Sequence, residues 1–579
     1  MDLVGRLPGA ANFRVEKEGA VSRRIVVFVL MASLFAACAP AASSRAPGAT
    51  SVTGSIAPPT GPVAEERITI RLAASTQGGG YPTPFAAVRG PGRLVTTFMF
   101  DTLGFPDVTG EPKPWLAKSW EGSPDGKTWT FHLRENAKWQ DGQPLTADDV
   151  VFSFEYALNG PGAVTGVAQG VTYIDSVTSP DPATVVIKLN SVRPSFLSDI
   201  SGAFGIPIVP KHIWSTVTDP AHYQGPQALI GSGPYRLEQF DQPTNTFDFI
   251  ANDDFYLGKP KVKELQLVQV ADPLLALQRG ELSAASAGNT AIPQSQFDDL
   301  SRQFTLLTAP GEFNVALFFN LGAGFPYDQV AFRQAVAYAL DRQDMVNRLV
   351  SGRGVPGSPG ALGPGNPFLN KSLPAYALDL AKATALLDQV GLKDGNGDGV
   401  RDKPDGSPFA IPLLSSAADN PQGQLVLEYL RAAGLKVEIT SVDQPTSDAR
   451  DSAGDYQMAI VHFGGLSSDP SGLINRFGSK SKSKSFTRVQ GYKNPTFDQI
   501  ASEQATTLDP ARRKQLVDQM QSILADDLPQ LSLYVPEQVY FVDTKVFGGW
   551  AYTPGCPPCG AGMNKRMLFT GSAAPAPSN

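Results

Sequence analysis

Four histidines, three cysteines and 55 acidic residues are what this chain offers to chemistry. The histidines are His132, His212, His222 and His462. None has a partner at the His-x-x-x-His spacing that sets two imidazoles on one helical face for a metal. No Gly-x-Ser-x-Gly elbow is present to expose a serine nucleophile. Carboxylates abound, but linear order does not pair them for glycoside hydrolysis. Gly231-Ser-Gly-Pro-Tyr235 is glycine-rich, yet it lacks the Gly-Lys-Ser/Thr of a phosphate loop, and a strand-like run follows it instead of a helix. No catalytic residue and no cofactor is expected. One metal-like spacing exists. Asp394, Asn396, Asp398 and Gly399 fall at positions one, three, five and six of a calcium loop, with Asp402 and Asp405 at nine and twelve. Position twelve favours Glu, and Pro404 is a poor neighbour for the exit helix. We read the run as a polar turn and assign no metal, a structural calcium ion being the alternative.

The elements around these residues have clear local signals. From Asp125 to Leu158 the chain reads as hairpin, turn and helix. Asp125-Gly126 is a turn pair, because glycine accepts positive φ at no steric cost. Trp129, Phe131 and Leu133 alternate with polar residues, which is the period of a strand with one buried face. Thr146 stands at a helix N-cap with Asp149 three residues on, and Ala147, Val151, Phe154 and Leu158 follow at helical spacing. Further strands are expected at Arg67–Ala73, in two runs between Val171 and Leu189, and at Val315–Asn320. Helices are expected at Leu94–Leu103, Phe332–Arg342, Leu380–Val390 and Ala511–Asp526. Leu531–Val535 is expected as a strand that returns the chain to its first lobe.

A length of 579 residues asks for two or three domains, and 42% hydrophobic residues suffice to fill their cores. A net charge of −7 argues against nucleic acid as a partner. Arg23-Arg24 precedes the apolar run Ile25–Ala37, which has the make-up of an export signal and is too short for a membrane span. Its end, Leu34-Phe-Ala-Ala-Cys38, resembles a bacterial lipobox, whose cysteine takes the lipid; Phe35 stands where Leu is usual. Val21 is a candidate true start, since Met1–Ala20 is unusually polar for a signal. Residues 39–66 are rich in Ala, Ser, Pro, Gly and Thr and read as a disordered tether. Cys556-Pro-Pro-Cys559 lies in a Gly/Pro-rich tail, and in an exported chain it reads as a local disulfide.

Several motifs occur in an order that carries a family resemblance. They include Pro114-x-Leu-Ala-x-Ser-Trp120, Asp125-Gly-x-x-Trp-Thr-Phe-x-Leu-Arg134 and Asp141-Gly-x-Pro-Leu-Thr-Ala-Asp-Asp-Val150. Gly231-Ser-Gly-Pro-Tyr235, Ala276-Leu-Gln-Arg-Gly-Glu-Leu282 and Arg333-Gln-Ala-Val-Ala-Tyr-Ala-Leu-Asp-Arg342 continue the series. The chain resembles the family 5 extracellular solute-binding proteins, the oligopeptide- and dipeptide-type binding components of ABC importers, from about Arg67 to Trp550.

That resemblance implies an α/β, two-lobed periplasmic-binding-protein type II fold with an extra inserted subdomain and a ligand cleft between the lobes. Lobe I would comprise 67–110, 225–312 and 525–573, the insert 111–224 and lobe II 313–524. It also implies the site. Family peptide binders carry a loop of roughly Gly-Trp-x-x-Asp-x-x-Asp-Pro, whose early Asp pairs with the peptide ammonium. Aligning Asp469-Pro470 puts Phe463 at the aromatic and Leu466 at that Asp, which weakens a reading as a binder of free peptide N-termini. Phe463, Gly464, Gly465, Leu466 and Asp469 are the expected ligand contacts, with Thr76, Gln77, Asn289 and Glu281 as weaker ones and Cys38 as the lipid attachment. The implied partners are a small-molecule or peptide-like ligand, permease subunits and, through the anchor, the membrane; the chain is expected to be a monomer. An oligosaccharide or other non-peptide ligand is the alternative in the same role, and an exported hydrolase or a sensory ectodomain the alternative of another class.

Overall fold

The parallel pairing of Ile68–Ala73 with Val262–Val268 opens a four-stranded sheet, continued antiparallel by Thr246–Ala251 and Tyr235–Asp241. In the computed structural model the described residues are 68–74, 80–86, 90–107, 110–165, 167, 171–286, 291–309, 311, 313–464, 469–481, 483, 485–551 and 565–571. All of them belong to one compact unit, Glu65–Asn579. The export signal, Cys38 and the tether lie outside the described residues, as do Cys556 and Cys559.

The segment 111–224 carries its own four-stranded antiparallel sheet, ordered Ala117–Gly122, Thr128–Leu133, Thr184–Leu189 and Ile174–Asp181. Phe131 and Leu133 face inward, as the alternation requires. Helix Ala147–Leu158 packs beside this sheet, and its start is pinned by Asp149. That carboxylate accepts the Thr146 N–H at 2.9 Å and the Lys211 N–H at 3.0 Å, so two orphan donors share one side chain. The apolar core of this segment is continuous with that of the first sheet, running from Ile70 through Trp115 and Phe154 to Leu568.

A six-stranded mixed sheet forms the other body, ordered Gly354–Pro356, Gln530–Pro536, Phe313–Phe319, Met458–Gly464, Ala410–Ser416 and Lys436–Val442. Its two faces bury separate apolar clusters, one around Phe319 and Phe332, the other around Phe318 and Phe477. Leu531–Val535 belongs here, antiparallel to Phe313–Phe319, and the return to the first body comes one strand later. Gln538–Val542 pairs with Ala284–Ala285 and Thr305–Ala309 in a three-stranded sheet. Every residue of Gln530–Pro536 is buried, so neither face of the run is left to solvent and its alternation does not say which sheet receives it.

The helix expected over Leu94–Leu103 is shorter, Gly90–Thr96. The Phe98 and Met99 carbonyls accept the N–H groups of Tyr235 and Gly233, which takes them out of any helical ladder. The glycines of Gly231-Ser-Gly233 serve this close approach. A Cβ on Gly231 would come within 2.0 Å of the Met99 oxygen, and one on Gly233 within 2.4 Å of the Phe98 oxygen.

Candidate functional site

Strand Met458–Gly464 runs antiparallel to Phe313–Phe319, with Phe463 opposite Asn314 and His462 opposite Val315. Successive strand residues alternate faces, so Phe463 and His462 point to opposite sides of the sheet. Phe463 is 4% exposed and packs on Phe318, their ring centroids 6.0 Å apart. Its other partner is Arg476, whose guanidinium carbon stands 3.7 Å from the ring centroid. Arg476 comes from the short helix Gly472–Phe477 and is 5% exposed. Among the described residues its Nε and Nη1 have no hydrogen-bond partner, and burial pushes its pKa down to about 9. Asn314, on the same face, donates to Ser532 Oγ at 3.1 Å, while its Oδ1 is unpartnered.

Asp469 is engaged by Arg513, with Oδ2 2.7 Å from Nη1, and its Oδ1 also accepts the Ser471 N–H at 2.8 Å. It faces the 111–224 segment. Its charge helps to raise Asp199, which burial pushes up to about 6 even though Tyr173 and Ser195 donate to it. The same charge adds to the burial that drives the Tyr173 phenol upward. Next to this contact a cavity of about 1070 Å³ opens between Thr172 and residues 474–502, lined by Asn475, Ser479, Lys480, Lys493 and Gln499 among others.

On the other face, His462 Nδ1 lies 3.0 Å from Asp419 Oδ1. Burial pushes the imidazole pKa down and Asp419 opposes it. Asp419 also accepts from Ser416 Oγ at 2.7 Å, and Gln422 nearby donates to Tyr534 Oη at 2.9 Å. The remaining histidines sit in separate polar contacts, His132 with Glu121, His212 with Asp141 and His222 with Asp219.

Of the residues expected to touch a ligand, Phe463, Gly464 and Asp469 are brought to one strand end and its exit. Gly465 and Leu466, like Thr76, Gln77 and Asn289, lie outside the described residues. Glu281 is exposed in the turn after helix Pro273–Gln278. In the Asp394–Asp405 run the acidic oxygens turn to the backbone. Asp394 accepts the N–H groups of Gly397 and Gly399, and Asp398 that of Val400. Among the described residues no group of three or more His, Cys, Asp or Glu side chains is placed to hold a metal. Arg476 was not anticipated. Its signal in the sequence is one cation in the apolar run Leu473-Ile-Asn-Arg-Phe477. The alternation of Ser and Lys over 479–485 is a second signal, for the cavity wall.

Residues 111–485 match the model of the bacterial extracellular solute-binding proteins, family 5 Middle. A nickel-binding periplasmic protein of Escherichia coli K12 is 26% identical over 473 residues, 79% of this chain and 87% of that one. A dipeptide-binding protein of the same organism is 26% identical over 450 residues, 73% and 81% of the two chains. The structure superposes on the oligopeptide-binding protein AppA of Bacillus subtilis, solved with a nonapeptide. The TM-score is 0.72 at 22% identity, covering 86% of this chain and 99% of that one.

Proposed function

The chain belongs to the bacterial extracellular solute-binding proteins, family 5, and from that premise we propose that it is the solute-capturing component of an ABC importer. It takes a peptide-like solute between its two bodies, closes over it and delivers it to permease subunits in the membrane. The observation that carries this reading is the cavity of about 1070 Å³ between Thr172 of the 111–224 segment and residues 474–502 of the other body. The names of its relatives, dipeptide-binding and oligopeptide-binding among them, agree with a peptide-like ligand. A non-peptide solute in the same role is the second reading. It is favoured by Asp469, whose carboxylate is held by Arg513 and is not free for an ammonium group. The protein releases its solute unchanged, and lipid on Cys38 holds it at the outer face of the membrane.

Thermal unfolding of the purified, ligand-stripped protein tests the capture. Mixtures of short peptides, of oligosaccharides and of metal chelates are added in turn. One of them should raise the midpoint by several degrees, with the solute recovered intact. No response to any of the three would overturn the reading, and turnover of the solute would make the protein a hydrolase. Metabolic labelling with a radioactive fatty acid should mark the wild type and not C38S.

A further inference from the structure

The chain crosses between its two bodies twice, from Ala309 to Phe313 and from Pro536 to Gln538. A Cβ on Gly311 would come within 2.0 Å of the Pro536 oxygen, so the two crossings lie side by side. Paired crossings make one hinge, and body-to-body contacts away from it form and break as the cleft closes and opens. Leu508 makes such a contact. It lies in the connection between helices Pro495–Gln504 and Pro510–Asp527, which pack on the six-stranded body. At 55% it is the most exposed large apolar side chain among the described residues. A single exposed leucine needs no explanation by itself. What sets this one apart is its neighbour, the Asp125-Gly126 turn of the 111–224 segment. A Cβ on Gly126 would stand 3.5 Å from Leu508 Cδ1 and 3.5 Å from Val192 Cγ1, an ordinary van der Waals distance. Leu508 from one body and Val192 from the other therefore converge on the same point of this turn.

The contact borders the cavity. Val192 is followed by Arg193, whose guanidinium carbon stands 4.6 Å from the Tyr173 ring centroid. Thr172, next to Tyr173, is the share of the 111–224 segment in the cavity wall. On the facing wall, Gln499, Ala501 and Ser502 come from helix Pro495–Gln504, and the chain leads on from that helix to Leu508. One apolar contact thus joins the two segments that face each other across the cavity.

We propose that Leu508 is a closure latch: it seats against Gly126 and Val192 when the bodies shut over a solute, and so slows the solute's escape without touching it. The proposal rests on the solute-binding reading and deepens it. Leu508 is then a positioning residue, and its effect belongs to the solute-loaded state. The full chain, purified in detergent and stripped of ligand by unfolding and refolding, is titrated with the dialysable fraction of a yeast extract, and the unfolding midpoint is read. L508S removes the apolar end of the side chain, and L508M keeps it. Without extract, L508S should unfold at the midpoint of wild type, since a half-exposed side chain in a surface connection supports little of the fold. It should need about three- to tenfold more extract for the same shift, the worth of a partly buried leucine. Once the loaded protein has passed over a desalting column, the shift should decay faster in L508S by the same factor. L508M should behave as wild type in both measurements. An unchanged titration and decay in L508S overturns the latch while the solute-binding reading stands. A midpoint lowered in L508S as much without extract as with it makes the contact a permanent part of the fold and also overturns the latch. No shift in wild type overturns both.

Discussion

Asp451 is the carboxyl whose environment most opposes its charge in the six-stranded body. It is 2% exposed, and its Oδ1 has no hydrogen-bond partner. Burial first, then the charges of Asp448 and Asp419, push its pKa up to about 7, against the pull of Arg450 and a hydrogen bond from Ser447. In the unfolded chain the value is about 3.9. The folded state therefore holds the proton more tightly than the unfolded state does. Its contribution to stability is intact below about pH 4 and is lost as pH rises towards 7. D451N removes this linkage, so its midpoint should exceed that of wild type by more at pH 8 than at pH 5 in calorimetric scans. Phe463 shows how far a single residue can be read in advance. An aromatic at that position was legible from the motif ending at Asp469-Pro470. Its burial against Phe318 was not, because the partner lies on a strand some 145 positions earlier. Arg476 was visible only as a misfit, a cation in an apolar run. That its donors are unpaired follows from what surrounds it.

At the scale of elements, local chemistry sufficed where an element depends on its own residues. The capped helix Ala147–Leu158 begins where Thr146 and Asp149 indicate. Asp149 does more than the motif implied, since it also accepts the Lys211 N–H and so joins this helix to the turn of helix at Lys211–Trp214. D149A should therefore cost at least the ~1–2 kcal/mol of a lost helix cap, measured by urea denaturation. A loss below about 0.5 kcal/mol would show that water replaces the carboxylate freely. Helix Gly90–Thr96 is the opposite case. Leu94–Leu103 has helical periodicity, but the segment around Gly231–Tyr235 claims the Phe98 and Met99 carbonyls. Thr96 and Thr97 also turn their hydroxyls back to the Arg93 and Leu94 carbonyls, a local competition with the ladder.

Over the whole molecule, a segment late in the chain closes on one from its first quarter. Lys565, in the short helix Lys565–Thr570, places Nζ 2.5 Å from Asp101 Oδ1, both side chains fully buried. Trp115 Nε1, Ser232 Oγ and Tyr256 Oη also donate to Asp101, so one carboxylate ties together segments from residue 101 to residue 565. K565M leaves that carboxylate without its cation. It should lose about 3–5 kcal/mol in urea denaturation, and the double variant D101N/K565M should recover much of the loss. The family, the mixed α/β class and most of the strands and helices expected above were determined by the sequence alone. Periodicity, caps and turn pairs act between residues a few positions apart, and motif order survives along the chain. The tertiary structure alone decided three things. It set the sheet that receives Gln530–Pro536, the fate of the Phe98 and Met99 carbonyls, and the pairing that gives Asp469 to Arg513 while leaving Arg476 unmatched. Each depends on distant segments meeting, and a buried charge has no defined partner until they do.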